Sequence, residues 1–155
     1  MFEKQNIIDA VAILKQKFGE RLSEAQSVRQ HHAQSTTRME QQLPDAVIFA
    51  ETTQEVSDIL NICNQYRCPI VAFGVGSSLE GHVNASHGGI SIDLNAMNKI
   101  LKVNSEDLDA VIQPGVTRVQ LNEHLRDSGL FFPIDPGANA SLGGMAATRA
   151  SGTNA

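Results

Sequence analysis

The stretch PIVAFGVGSSLEGH, residues 69–82, is the most informative part of the chain for its fold. Its first five residues form an apolar run of strand length, and a glycine-rich loop follows at once. Gly74 and Gly76 have no Cβ and can adopt positive φ, so successive backbone N–H groups can point into one concavity. Such a concavity binds anions, most often phosphate, and Ser77 and Ser78 add hydroxyl donors. The segment therefore predicts either a phosphate cradle or a structural turn.

Two other phosphate-binding motifs fit this loop poorly. A dinucleotide-binding GxGxxG motif requires glycine at position 79, where Leu79 stands, and a helix directly after the loop. The residues that follow Gly81 have the composition of a loop, and the Gly-Lys-Ser/Thr of a P-loop is missing. A nicotinamide-binding dehydrogenase domain is therefore disfavoured, although it stays open as an alternative.

The residues on either side predict a mixed α+β architecture. Residues 46–50 form an apolar strand, and Thr52 with Glu55 forms a capping box that begins a helix. Strand 46–50, this helix and strand 69–73 make a βαβ unit, so the two strands should be parallel. Further strands are predicted at 89–94, 100–104 and 109–113, with 89–155 starting a second mixed sheet. A second capping box, Thr117 with Gln120, begins another helix, which Gly129 ends.

The N-terminal part is helical and then weakly specified. Ile7, Val11 and Leu14 recur at helical spacing within residues 4–22, which predicts an amphipathic helix packed on the protein's own core. Residues 23–43 are polar and predict one short helix followed by a loop. We expect 1–43 to be an N-terminal helical extension and 44–155 to be a separate domain.

A second segment of small residues, DPGANASLGGMAATRASGTNA, occupies residues 135–155. Ser141 is placed to cap a helix whose first turn carries Gly143 and Gly144. Glycine weakens a helix, so two in succession indicate either tight helix–sheet packing or close approach of a phosphate or a flat ring. Two such segments on one domain suggest a single extended ligand, such as a dinucleotide. Because the chain stops inside this segment, we expect it to be a truncated piece of a longer protein.

Composition excludes several classes of function. The 155 residues include 12 Lys or Arg and 17 Asp or Glu, a net charge of −5, which disfavours a nucleic-acid surface. No apolar run reaches the length of a membrane span, and the N-terminus does not resemble a secretory signal. Cys63 and Cys68 are too few for a disulfide framework and lack partner ligands for zinc, so we expect reduced thiols in a cytoplasmic protein.

The five histidines give little sign of a metal site. His31 and His32 are adjacent, so on a helix they diverge, and we expect a solvated pair. His82 lies at the edge of the glycine loop, where it is placed either to contact the ligand or to remain in solvent. His87 and His124 are expected at the surface, and no spacing predicts a metal-binding cluster.

Residues 44–155, and above all the two small-residue segments, resemble the FAD-linked oxidases. This is the FAD-binding domain shared by vanillyl-alcohol oxidase and p-cresol methylhydroxylase. The strings GVGSSLEG and DPGANASLGGMAATRASGTNA are most similar to the branch containing flavin-dependent D-lactate dehydrogenase and the glycolate oxidase flavin subunit. The resemblance implies a two-subdomain FAD-binding domain of the vanillyl-alcohol oxidase type, C-terminally incomplete.

The resemblance also implies a role for each matching residue. The first wall of the FAD pyrophosphate site would be formed by Gly74, Val75, Gly76, Ser77, Ser78, Gly81 and His82. The opposite wall, against the pyrophosphate and ribityl chain, would be formed by Pro136, Gly137, Ser141, Gly143 and Gly144. The isoalloxazine side would be lined by Thr148, Ser151, Gly152 and Asn154. Some relatives attach FAD covalently through a histidine in the first loop; Ser77 takes that place here, which implies non-covalent FAD.

In the family a substrate domain follows and supplies the residues that grip a 2-hydroxy acid and take its proton. None of these lies in residues 1–155, so the resemblance implies no catalytic residue here. The expected function is the FAD-binding portion of a D-lactate or glycolate dehydrogenase. The alternative is a non-catalytic remnant that binds FAD weakly or not at all. The full-length protein would act on a small 2-hydroxy acid, and the resemblance allows it a peripheral membrane association.

Overall fold

The computed structural model describes residues 3–152, so Asn154, assigned above to the flavin site, lies outside the described residues. The helices are α1 Lys4–Phe18, α2 Gln26–Ala33, α3 Thr53–Gln65, α4 Arg118–Leu125 and α5 Leu142–Thr148. The strands are β1 Leu22–Ser23, β2 Ala46–Phe49, β3 Ile70–Phe73, β4 Ile90–Asp93, β5 Ile100–Asn104 and β6 Asp109–Ile112. Each predicted strand is therefore present, with its bounds within one residue of the prediction.

The N-terminal helix is shorter than predicted. It ends at Phe18, because Gly19 adopts a φ of +57° and its N–H caps the last turn by donating to the Lys15 carbonyl. A short 3-10 turn follows, and Leu22 then lies in strand β1 instead of on the helix. The predicted helix over 4–22 is thus wrong beyond Phe18; Gly19 was a stop signal that the apolar spacing concealed.

The first sheet has four strands in the order β1-β2-β4-β3. Strands β2 and β3 both run parallel to β4, which confirms that the βαβ strands are parallel and places β4 between them. Strand β4 was expected to start a second mixed sheet, and that expectation is wrong. All four of its residues are buried, so its apolar–polar alternation does not mark a solvent-facing side. Within residues 3–152 the second sheet is an antiparallel pair, β5 and β6.

Two apolar clusters divide the core. The first joins α1, α3 and the four-stranded sheet, with Leu14, Ile48, Ile59 and Ile90 fully buried. The second joins α4, α5 and the β5–β6 pair around Val116. This arrangement, with helices on a mixed sheet and on an antiparallel pair, agrees with the predicted α+β fold in two subdomains. Since α1 and β1 belong to the first cluster, a domain boundary at residue 43 stays a prediction.

Both predicted N-caps form at the predicted helix starts, but the reciprocal half of each capping box does not: Glu55 Oε2 accepts from the Glu51 N–H at 2.8 Å, and the Gln120 side chain donates to the Asn98 carbonyl at 2.8 Å. Thr52 Oγ1 accepts from the Glu55 N–H at 3.1 Å, and Thr117 Oγ1 accepts from the Gln120 N–H at 3.2 Å. Glu55 also accepts two hydrogen bonds, of 2.8 and 2.7 Å, from the Arg21 guanidinium, and these hold the pKa of its carboxyl below the usual value.

The two cysteines are free and buried, in agreement with thiols that take no part in a disulfide framework. A hydrogen bond with Cys68, together with burial, raises the pKa of the Cys63 thiol. No helix in residues 3–152 has both the length and the apolar character needed to cross a membrane.

Candidate functional site

The glycine loop, residues 74–81, leaves the carboxyl end of β3, beside the carboxyl end of β4. Ligands of sheets with parallel strands bind at this edge, because the connecting loops open a crevice there. The loop is anchored at its start, where Asn95 Nδ2 donates to the Gly74 carbonyl at 2.8 Å. Farther along, Ser35 Oγ donates to the Ser78 carbonyl at 2.9 Å.

Two glycines of this loop adopt backbone conformations that favour glycine. Gly76 has a φ of +69° and Gly81 a φ of +74°. Gly74 lies outside the positive-φ region, so its need for glycine has another cause, described below. His82 is exposed and pairs with the Ser78 hydroxyl, while Val75 and Ser77 are exposed. A Cβ at Gly81 would meet the Met39 side chain, so the far end of the loop packs on residues 35–39.

The small-residue segment, residues 135–152, meets the glycine loop at one defined contact. A Cβ added to Gly74 would collide with Ser141 Oγ, and one added to Gly144 would lie 3.0 Å from the same oxygen. Ser141 is 2% exposed and stands directly before α5, as predicted, but its side chain makes no capping hydrogen bond. Its hydroxyl lies instead between the two segments, which Gly74 allows to approach closely.

Tight packing explains two other glycines of the small-residue segment. A Cβ at Gly143 would lie 2.5 Å from Pro114 Cβ, and the Gly143 N–H donates to the Pro114 carbonyl at 2.9 Å. A Cβ at Gly152 would collide with the Asp135 carbonyl. Of the two interpretations left open for Gly143, the structure favours packing. Its N–H is already bonded within the protein, so it has no free donor for an anion.

Of the remaining predicted residues of this segment, Pro136, Gly137 and Ser151 line an open groove. The groove has a volume of about 480 Å³ and is lined by Asp135, Pro136, Gly137, Ser151 and Gly152. Gly137, at a φ of +86°, has open space where a side chain would stand. Thr148 donates its hydroxyl to the Gly144 carbonyl at 2.9 Å, which turns it toward its own helix.

One expectation near the site is wrong. His31 is exposed, as predicted, but His32 is only 3% exposed and lies against the Phe73 ring at 4.3 Å between centroids. His32 Nε2 is 2.9 Å from Asp93 Oδ2, a buried pair behind the glycine loop. Adjacent histidines on a helix do diverge, so one faces solvent and the other faces the core. Sequence reasoning missed Asp93 and Asn95; the one available signal was an acidic residue ending an apolar strand. His87 and His124 are exposed, as predicted.

No group of three or more possible metal-ligating side chains occurs among residues 3–152. The groups that the two segments offer are backbone dipoles, hydroxyls and small residues, which suit an anionic ligand.

Comparison with known proteins agrees with this architecture. The sequence model of the FAD binding domain family matches residues 44–155. A probable mitochondrial D-lactate dehydrogenase of Danio rerio is 48% identical over 136 residues, which are 88% of this chain and 27% of that protein. A mitochondrial D-lactate dehydrogenase (cytochrome) of Arabidopsis thaliana is 48% identical over 72% of this chain and 20% of its own length. A glycolate oxidase subunit of Bacillus subtilis is 37% identical over 76% of this chain and 25% of its own length.

Solved structures show the same fold. An alkyldihydroxyacetonephosphate synthase has a TM-score of 0.82 at 26% identity, over 94% of this chain and 32% of that one. A p-cresol methylhydroxylase has a TM-score of 0.80 at 23% identity, over 96% of this chain and 30% of that one. The chain thus spans about a quarter of the length of the curated relatives described here. By the match over residues 44–155 and the shared fold, this chain belongs to the FAD binding domain family.

Proposed function

We propose that this chain provides the FAD-binding part of a flavin-dependent 2-hydroxy-acid dehydrogenase that acts on D-lactate or glycolate. The observation that carries the proposal is the approach of Gly74 to Ser141, which brings the two small-residue segments together. The names of the Danio, Arabidopsis and Bacillus relatives support the substrate class.

Features of both segments support this proposal. At the first wall, Gly76 adopts a φ of +69° that orients the loop backbone, and Ser77 is exposed beside it. At the second wall, Gly137 leaves open space, and Pro136 and Ser151 line the same groove. We propose that the first wall holds the pyrophosphate and that the groove takes the ribityl and ring portions.

FAD supplies the redox chemistry when bound, as the acceptor at N5 of the hydride from the substrate carbon. The share of this chain is to bind and orient the cofactor. Gly81 and His82 continue the first wall, where His82 is already paired with Ser78. Because Ser77 stands where some relatives carry a linking histidine, we propose non-covalent binding.

The substrate-gripping and proton-accepting residues are expected in the part of the relatives that this chain does not span. We therefore propose that residues 1–155 bind FAD but do not oxidise D-lactate by themselves. The rival is a remnant with weak or no FAD binding. A cytoplasmic location remains a prediction from the free thiols, and the Danio and Arabidopsis relatives are named as mitochondrial.

A matched pair of glycine substitutions tests the proposal. Gly76 and Gly129 both have φ near +70° to +75°, so alanine at either one costs a similar ~1–2 kcal/mol of backbone strain. Because a Cβ at Gly76 would also lie 3.1 Å from the Phe73 ring, whereas Gly129 has open space, the stability of each variant is measured beside its FAD affinity. Gly129 ends the 3-10 turn after α4 and lies outside the proposed site. We expect Gly76→Ala to weaken FAD binding at least about tenfold, measured by flavin fluorescence, while Gly129→Ala binds like the unmodified chain.

Four results would contradict the proposal in different ways. Equal FAD affinity in the two variants would remove the first wall from the site. An unmodified chain that takes up no FAD would favour the remnant, and tight NADH binding without flavin would favour a nicotinamide domain. Dye reduction by the chain with D-lactate would show that the rest of the relatives' length is not essential.

A further inference from the structure

A continuous chain of hydrogen bonds links helix α2 to the glycine loop through the centre of the sheet. His32 Nδ1 lies 2.8 Å from the Val28 carbonyl, and His32 Nε2 lies 2.9 Å from Asp93 Oδ2. Asp93 Oδ1 accepts from the Asn95 N–H at 2.7 Å, and the Asn95 side chain donates to the Gly74 carbonyl at 2.8 Å. Four contacts therefore run from α2 to the first residue of the loop.

The partners of His32 determine its protonation. The Val28 carbonyl can only accept, so Nδ1 carries a proton. Nε2 lies 2.9 Å from Asp93 Oδ2, and a carboxylate oxygen can only accept, so a second proton on Nε2 completes the contact and makes His32 an imidazolium paired with Asp93. The other titratable group against its ring is His31, 5.4 Å away between centroids.

This pair is well enclosed. His32 is 3% exposed and Asp93 is 7% exposed, and the rings of Phe49 and Phe73 flank the imidazolium. A buried ion pair is costly to desolvate and contributes little net stability, so it is better explained by the conformation that it specifies. The conformation specified here is that of Asn95 and, through it, of Gly74.

We propose that His32 is an imidazolium paired with the Asp93 carboxylate and that both are positioning residues for FAD: the hydrogen bond between them holds Asp93 where its Oδ1 accepts from Asn95, which fixes the Gly74 carbonyl and so the start of the glycine loop. His32 lies outside residues 44–155, the part matched by the family model, so the N-terminal helices take part in forming the cofactor site. The role in FAD binding rests on the proposed function, whereas the protonation of His32 does not.

The protonation is tested first, on the chain without FAD. Long-range nitrogen–proton correlation of the histidine rings should show His32 with both ring nitrogens protonated at pH 7. In Asp93→Asn the asparagine amide can donate to Nε2, so His32 should become neutral with only Nδ1 protonated. A neutral His32 in the unmodified chain would overturn the ion pair whatever the outcome of FAD binding.

The positioning role is tested with two asparagines. Asn95→Ala removes the bond to Gly74, whereas Asn98 is an exposed residue three positions farther along. We expect Asn95→Ala to raise the Kd for FAD about five- to tenfold, the equivalent of one lost hydrogen bond, and Asn98→Ala to leave it unchanged. Equal Kd values for the two variants would overturn the positioning role.

Rescue at Asp93 separates positioning from general stability. Asp93→Ala should weaken FAD binding at least as much as Asn95→Ala, and Asp93→Asn should recover most of the loss because its amide oxygen can still accept from Asn95. Failure of Asp93→Asn to recover binding, in a variant with unchanged circular dichroism, would overturn the proposal. If Asp93→Ala does not fold, the comparison of Asn95→Ala with Asn98→Ala decides whether the positioning role stands. If the unmodified chain binds no FAD, the proposed function fails while the ring spectrum still tests the ion pair.

Discussion

The contact between Gly74 and Ser141 can be tested by adding one methyl group. Gly74 lies outside the positive-φ region, so alanine suits its backbone and the cost comes from the collision alone. The new Cβ would collide with Ser141 Oγ and lie 3.4 Å from Ser141 Cβ. Overpacking of this kind costs about 1–3 kcal/mol, offset by about 0.4–1 kcal/mol because alanine restricts the unfolded chain.

We therefore expect Gly74→Ala to lower the free energy of unfolding by up to about 2.6 kcal/mol, and by about 1.3 kcal/mol at the midpoints of these ranges. In a chain of this length that shifts Tm by about 2–4 °C per kcal/mol. Ser141→Ala removes the oxygen and leaves only the ordinary 3.4 Å contact. Relative to Gly74→Ala, the double variant with alanine at both 74 and 141 should then regain about 1 kcal/mol or more of the free energy of unfolding. Urea denaturation of the unmodified chain, the two single variants and the double variant measures this coupling. If Ser141→Ala changes stability by the same amount with glycine as with alanine at position 74, the two segments do not touch.

Two further predictions concern the framework. Glu55→Gln removes the carboxylate charge and one of the two acceptor oxygens that face Arg21. Because the pKa of Glu55 is lowered in the folded state, the stability contributed by its carboxylate is complete above the ordinary pKa of 4.5 and is lost as the pH falls through the lower folded pKa. The difference in urea midpoint between the two proteins should thus be largest at pH 7 and shrink toward about pH 3; a difference constant with pH would contradict this. Ile59→Ala, at a fully buried position of α3, should lower the free energy of unfolding by about 2–5 kcal/mol. Leu60→Ala, at a neighbouring position that is 44% exposed, should change it by no more than about 0.5 kcal/mol. Equal changes in the two variants would contradict the orientation of the helix.

Local signals in the sequence predicted much of the fold. The capping residues Thr52 and Thr117 located two helix starts, because a cap depends on residues only three positions apart. Strand order was not predictable in the same way. That β4 lies between β2 and β3 depends on long-range pairing, such as the Ile90 N–H bond to the Pro69 carbonyl at 2.9 Å.

The candidate site was predicted in part, for a similar reason. Glycine clustering identified both segments, but it did not distinguish the glycine at 74, which admits Ser141, from the glycine at 143, which packs on Pro114. The pairing of His32 with Asp93 joins residues 61 positions apart, and no local pattern marks it.

The most direct measurement of the central claim is hydrogen exchange of the backbone amides with and without FAD. If both segments grip the cofactor, FAD should slow exchange together in peptides covering residues 74–82 and residues 135–152, with little change in α1. Protection confined to one segment, or to neither while FAD is bound, would contradict the account.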